Sequence, residues 1–255
     1  MGLLRWVYKM AGLVLIQLGA GLMGLVAVIL LLPFRKARYL IITRIMNLWG
    51  RLCCGVLNIR IHREGSAAKD PRGALIVSNH IGSADIFILA ACFNTFFISK
   101  SDVQSWPVIG QLAKLGSTIF IDRTQRTQVS GMVRDLTERL RSGFSVALFP
   151  EGSATLGHRV EPFKSSAFES VVQAGGAVVP VVIRFEDGEN PSVACWPDSM
   201  TFMEHMTNIL RHSRLDVRVC VLPAVEGELD RRAFAKKSWK LISDKFEGTR
   251  NTAVE

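Results

Sequence analysis

Residues 11–32 carry no charged side chain, and Gln17 is the one strongly polar residue among them. As a helix this stretch would reach roughly 33 Å at ~1.5 Å per residue, enough to cross a hydrocarbon core of ~30 Å. A secretory signal would have a shorter apolar region, about 7–15 residues, and no small-residue cleavage site stands out before Pro33. The stretch therefore reads as a retained anchor. Its Gly19, Gly21 and Gly24 are ordinary for a membrane helix and would also permit close helix packing. Arg35, Lys36, Arg38, Arg44 and Arg51 follow it, against Arg5 and Lys9 before it. That excess puts the large C-terminal part in the cytoplasm. Residues 39–59 are again apolar, with Arg44, Asn47 and Arg51 as one polar stripe. The stripe suits a helix lying in the headgroup layer and, equally, a helix docked on the domain. In the first case the N-terminus forms a hairpin in one leaflet.

From residue 60 short β-rich runs alternate with helical stretches. Strands are expected at 73–78, 95–99, 117–121, 145–149, 177–184, 192–196 and 215–222. Helices are expected at 84–93, 103–115, 127–142, 165–174, 200–212 and 230–246. This alternation predicts an α/β fold, a largely parallel sheet flanked by helices. Residues 1–59 would be the membrane anchor and interfacial helix, 60–247 the domain, and 248–255 a disordered tail. The formal charge of +9 with a mean hydropathy of +0.25 suits an anionic bilayer better than a nucleic acid. The basic residues are spread along the chain, and no nucleic-acid motif occurs. Five cysteines without a CxxC or metal spacing read as reduced thiols facing a cytosol.

Three strand ends carry the chemistry. Ala74–Val77 leads into Ser78-Asn79-His80-Ile81-Gly82-Ser83-Ala84-Asp85. His80 and Asp85 thus sit where a strand hands over to a helix, which presents side chains to ligand at a sheet's carboxyl edge. A turn at Gly82 can fold Asp85 back onto the imidazole, with Ser83 as helix N-cap. Such an Asp leaves the other ring nitrogen free as a base. With no Gly-x-Ser-x-Gly elbow in the chain, the base would act on a substrate hydroxyl. Next, Thr118-Ile119-Phe120-Ile121-Asp122-Arg123 ends in an Arg that could grip a phosphate or carboxylate, or simply form a surface ion pair. Finally, Val146–Phe149 stops at Pro150-Glu151-Gly152, a polar turn in which Glu151 could accept from substrate hydroxyls and Gly152 admits close backbone approach. The proline in Val178-Val179-Pro180-Val181 suggests an edge strand or a bulge.

In order and kind, Asn79-His80-x4-Asp85, Phe120-Ile121-Asp122-Arg123, Phe149-Pro150-Glu151-Gly152 and Val179-Pro180 resemble the four blocks of the glycerolipid acyltransferases. Trp106-Pro107-Val108-Ile109-Gly110 and Pro162-Phe163-Lys164 extend the likeness, which covers roughly residues 60–225. It is nearest to the 1-acylglycerol-3-phosphate acyltransferases of bacterial inner membranes. The resemblance implies transfer of a fatty acyl group from acyl-CoA or acyl carrier protein to a lysolipid hydroxyl, on the cytoplasmic side, with no metal or other cofactor. It makes His80 the general base and Asp85 its orienting partner. Arg123 would hold the acceptor's phosphate, Glu151 and Gly152 would line its site, and Lys100 and Lys164 would add positive charge.

Many lysophosphatidate enzymes continue the third block as Thr-Arg-Ser, where this chain has Ser153-Ala154-Thr155. Arg159 could compensate. Residues 157–165 also look like those of lyso-ornithine-lipid acyltransferases, which act on a zwitterionic acceptor. A thioesterase, or a silent membrane-binding module, is the reading from other functional classes.

Overall fold

Seven short apolar runs form the strands of one sheet, with order β1-β7-β6-β2-β5-β3-β4. They are β1 (Ile59–Glu64), β2 (Ala74–Ser78), β3 (Thr95–Lys100), β4 (Ile119–Ile121), β5 (Ser145–Leu148), β6 (Ala177–Phe185) and β7 (Leu215–Val221). The structure is a computed structural model that describes residues 2–65, 71–122, 126–189, 191–197 and 199–251. All neighbouring strands run parallel except β6 and β7.

A parallel sheet must be covered on both faces, and alternate residues of each strand feed two separate cores. Ile76, Ala147 and Val179 face α2 (Arg35–Leu57), α3 (Ala84–Cys92) and α7 (Phe202–Arg211). Leu75, Val77, Val146 and Val178 face α5 (Arg126–Arg141), α6 (Glu169–Ala174) and α8 (Arg231–Asn251). The register aligns Val77 with Leu148 on one side and Pro180 on the other. The segments that leave β2, β5 and β3 therefore emerge at one carboxyl edge.

The expected α/β architecture is present, with local differences. Ile59–Glu64 pairs with β7 at the edge. Residues 192–196 form no strand. Asp187 Oδ2 instead accepts from Ser192 Oγ (2.6 Å) and the Val193 amide (3.0 Å), folding that segment into a loop. The stretch 103–115 divides at Pro107 and left-handed Val108 (φ +64°), leaving a 3-10 turn and α4 (Ile109–Leu115). Pro180 lies inside the sheet, at a bulge on its β7 side. Leu222 N donates to Pro180 O at 2.9 Å and Val178 pairs with Val225, so the step from Val178 to Pro180 faces the longer step from Leu222 to Val225. The proline's missing amide falls where the ladder is already irregular. Helix α8 continues to Asn251, and of the expected tail only residues 252–255 lie outside the described residues.

The N-terminal helices are built onto the domain. Helix α1 (Gly2–Leu30) buries Leu13 in the core below α2, and Gln17, the one strongly polar residue of its uncharged stretch, accepts from Trp49 Nε1 of α2 at 2.9 Å. Lys9 is fully buried and donates to the carbonyls of Leu57 (2.7 Å) and His212 (2.8 Å), while Arg5 donates to Arg211 O (2.9 Å). These cations cap the C-terminal ends of α2 and α7, where the macrodipole favours them. Arg35, just past the other end of α1, pairs with Glu138 of α5. On α2, Asn47 of the polar stripe donates to Ala90 O and Ala91 O at the end of α3, whereas Arg44 and Arg51 are exposed. Leu15, Leu18, Leu22, Ile29 and Leu30 of α1 and Leu40, Leu48 and Leu52 of α2 remain exposed. The two helices are thus docked on one side and apolar on the other.

Gly50 sets the approach of α2 to α3, since a Cβ there would lie 2.6 Å from Ala91 N and 2.7 Å from Phe87 O. Gly55, on the same helix, faces open space. Gly50→Ala should lower the melting temperature by several degrees, from an overpacking cost of ~1–3 kcal/mol. Gly55→Ala should leave it unchanged or higher, because alanine is the better helix former by ~0.5–1 kcal/mol. Equal effects in a thermal melt would refute this packing.

Candidate active site

The site begins where β2 stops. Asn79 replaces the ladder bonds there, donating to Ile183 O and accepting from Ile183 N, each at 2.9 Å. The chain then turns sharply into α3. Gly82 is required in that turn, because a Cβ would come within 2.0 Å of Ala194 O.

Asp85, in the first turn of α3, is fully buried and reaches back over it. Its Oδ2 accepts from His80 Nδ1 (2.8 Å), Ile81 N (2.7 Å) and Gly82 N (3.0 Å). Its Oδ1 is buried with no hydrogen-bond partner among the described residues. A carboxylate with three donors on one oxygen is strongly held. Because that oxygen only accepts, Nδ1 carries the proton and Nε2 presents its lone pair. Nε2 makes no hydrogen bond among the described residues. The His80 ring stacks on Phe149, centroids 4.0 Å apart and planes 13° from parallel, and keeps 16% exposure. The backbone of His80 is held as tightly, since its carbonyl accepts from Thr155 N (3.0 Å) and Thr155 Oγ1 (3.2 Å).

Glu151, after neighbouring β5, completes the clamp. One carboxylate oxygen accepts from His80 N (2.7 Å) and the other from Glu161 N (3.0 Å). Burial pushes its pKa up to about 7, against the pull of those two amides. Its adjacent Gly152 has a left-handed φ of +96° and donates to Phe149 O at 3.2 Å, closing the tight turn.

The structure therefore brings His80, Asp85, Glu151 and Gly152 together. Lys100, at the end of β3, is exposed and in register with Ile121 of β4, with β5 lying between it and the strand of His80. Lys164 is exposed, and its amide donates to Pro150 O at 3.0 Å. Arg123 lies outside the described residues, just beyond β4. Arg159 is exposed and paired with Glu161 at 2.7 Å.

Several site residues escape any local spacing. Trp196 N donates to Ile81 O at 2.7 Å, and buried His205 of α7 meets Ser83. Cys195 lies close by. Burial, then the Asp85 charge, pushes its thiol up to about 11, so it stays protonated at neutral pH. Among the described residues no Ser, Thr or Cys side chain bonds the His80 ring, and no cluster of His, Cys, Asp and Glu is arranged to hold a metal.

A protein-family model described as Acyltransferase matches residues 58–184. A lyso-ornithine lipid O-acyltransferase from Pseudomonas aeruginosa is 30% identical, covering 98% of this chain and 96% of its own. A 1-acyl-sn-glycerol-3-phosphate acyltransferase from Neisseria meningitidis is 32% identical over 74% of this chain and 75% of its own. In fold, the chain is similar to the crystal structure of the 1-acyl-sn-glycerophosphate (LPA) acyltransferase PlsC from Thermotoga maritima. That match has a TM-score of 0.72 at 18% identity and covers 98% and 96% of the two chains.

The raised Glu151 pKa has a definite sign. A carboxyl that binds its proton more tightly when folded adds stability that is fully present below the unfolded value of 4.5 and is lost as pH rises through about 7. Glu151→Gln does not titrate. The difference in melting temperature, wild type minus variant, should therefore shrink between pH 4.5 and 7 and level off above. A constant difference would show that the carboxyl is not raised. Gln also turns an NH2 toward one of the two amide donors, so activity should fall at least tenfold.

Proposed function

The chain belongs to the acyltransferase family, and on that premise we propose that it transfers a fatty acyl group from a thioester, on coenzyme A or acyl carrier protein, to the free hydroxyl of a lysolipid. The observation that carries this reading is the Asp85–His80 pair, with Nδ1 bonded inward and Nε2 unbonded at a partly open face. Nε2 takes the proton of the lysolipid hydroxyl as its oxygen attacks the thioester carbonyl. The tetrahedral centre collapses, the C–S bond breaks, and the imidazolium returns its proton to the departing thiolate. Asp85 steadies the imidazolium charge throughout. The absence of a bonded Ser, Thr or Cys near the ring, among the described residues, supports direct transfer without an acyl-enzyme.

The four motifs imply lysophosphatidate as acceptor, with Arg123, Lys100 and Lys164 around its phosphate. At ~4.8 Å per strand, β4 lies about 14 Å from β2, with β5 and β3 between them. One observation favours a second acceptor. Arg159, the cation that would stand in for the missing Arg at Ala154, is already paired with Glu161. A phosphomonoester short of partners carries a desolvation penalty, so a zwitterionic lyso-aminolipid of the lyso-ornithine kind should be the better substrate. The measurement is the ratio of kcat/KM for the two acceptors. We expect it to favour the aminolipid, and Ala154→Arg to move it toward lysophosphatidate by some part of about 10- to 150-fold. Arg123→Ala should raise KM for lysophosphatidate. A wild-type preference for lysophosphatidate, with no response to Ala154→Arg, would reverse the assignment.

The two apolar helices associate the enzyme with a membrane. We place both in the cytoplasmic leaflet, because Lys9 and Arg5 tie one end of α1 to the domain while Arg35 ties the other end. Cysteines placed at exposed Gly2 and Lys36, which flank the apolar span of α1, should then both react with an impermeant thiol reagent from the cytoplasmic side. Protection of one end from that side would mean that α1 crosses the bilayer.

A further inference from the structure

The turn that carries His80 has three consecutive backbone donors, and Asp85 satisfies two of them. The third, Ser83 N, points at Nε2 of His205 at 3.2 Å, and Ser83 Oγ lies 2.8 Å from the same nitrogen. On the far side of the ring, His205 Nδ1 is 3.2 Å from Cys195 O. A carbonyl can only accept, so Nδ1 carries the hydrogen and Nε2 is an acceptor. The ring is fully buried on α7 and stacks on Trp196, centroids 5.1 Å apart and planes 7° from parallel. Trp196 itself bonds Ile81 O through its backbone. The space is closed, since a Cβ on Gly82 would meet His205 Cε1 at 2.9 Å.

We propose that His205, as a neutral Nδ1–H imidazole, is the positioning residue of this site, fixing residues 81–83 so that Asp85 aims His80 at the acceptor hydroxyl. It touches neither substrate nor the His80 ring and acts through the Ser83 amide. This assignment rests on reading His80 as the base. Burial lowers the pKa of His205, which keeps it in the acceptor form. A protonated Nε2 would set two donors, its own N–H and the Ser83 amide, against each other. The ring is one of two histidines in the site with opposite duties: His80 exchanges protons, and His205 must not.

The test uses full-length enzyme and three variants. His205→Phe keeps the stack on Trp196 but removes all three hydrogen bonds of the ring. It should lower kcat by about 10- to 100-fold, the scale of a small misplacement of a catalytic group, with KM for donor and lysolipid within about threefold of wild type. His205→Gln offers an amide oxygen to Ser83 and an NH2 to Cys195 O, and should recover most of that loss. A kcat within twofold of wild type in His205→Phe overturns the proposal, as does a loss matched by an equal loss of folded protein that His205→Gln fails to restore. Should neither variant fold, 15N NMR of wild-type enzyme decides at pH 7, where a charged or Nε2-protonated His205 contradicts it. His80→Ala separates the two readings: activity in that variant would remove the base assignment whatever His205 does, and wild-type turnover in His205→Phe would leave the base assignment intact.

Discussion

One carboxylate oxygen organises this candidate site. Asp85 Oδ2 takes the His80 ring and two backbone amides together, and its Oδ1 has no hydrogen-bond partner among the described residues. A buried charge is tolerable only when donors surround it. Here the donors belong to the same turn that carries His80. The arrangement fixes the tautomer of His80, the path of residues 80–83 and the start of α3 at once. On the proposed mechanism it would also give a developing imidazolium a counter-charge that no solvent reorganisation need supply.

The sheet puts a second clamp beside the first. Because β5 pairs directly with β2, the Glu151 turn emerges next to the His80 turn, and Glu151 spans from His80 N to Glu161 N. The sequence reading casts Glu151 as a residue lining the acceptor site. Both its oxygens are engaged by backbone amides, and those bonds hold two loops in register. The segments following β5 and β6, together with α7, then close around the turn through Thr155, Trp196 and His205. Residues that bond it come from four separate stretches of chain.

Much of this was legible in the sequence. Buried parallel strands are short and uniformly apolar, so Ala74–Ser78, Ser145–Leu148 and Ala177–Phe185 announced themselves, and the motifs at their ends marked the carboxyl edge. The misses have physical causes. Ile59–Glu64 is an edge strand whose exposed Arg60, Arg63 and Glu64 break the apolar pattern. Residues 192–196 have β-forming side chains, but their backbone serves the Asp187 loop and the His80 turn instead. Lys9 looked like a topology signal in an anchor and is a buried helix cap, a distinction set by Leu57 and His212 far along the chain. His205 meets Ser83 from 122 residues away, a separation that no local spacing encodes.

The central claim is that His80 activates the acceptor directly and the enzyme never carries the acyl group itself. The most direct measurement mixes purified enzyme with acyl thioester, first alone and then with lysolipid, following thiol release and the intact mass of the protein. Direct transfer predicts that thiol release waits for the lysolipid and that the protein mass stays unmodified in both cases. An acyl adduct on the protein, or thiol release as fast without lysolipid as with it, would contradict the account.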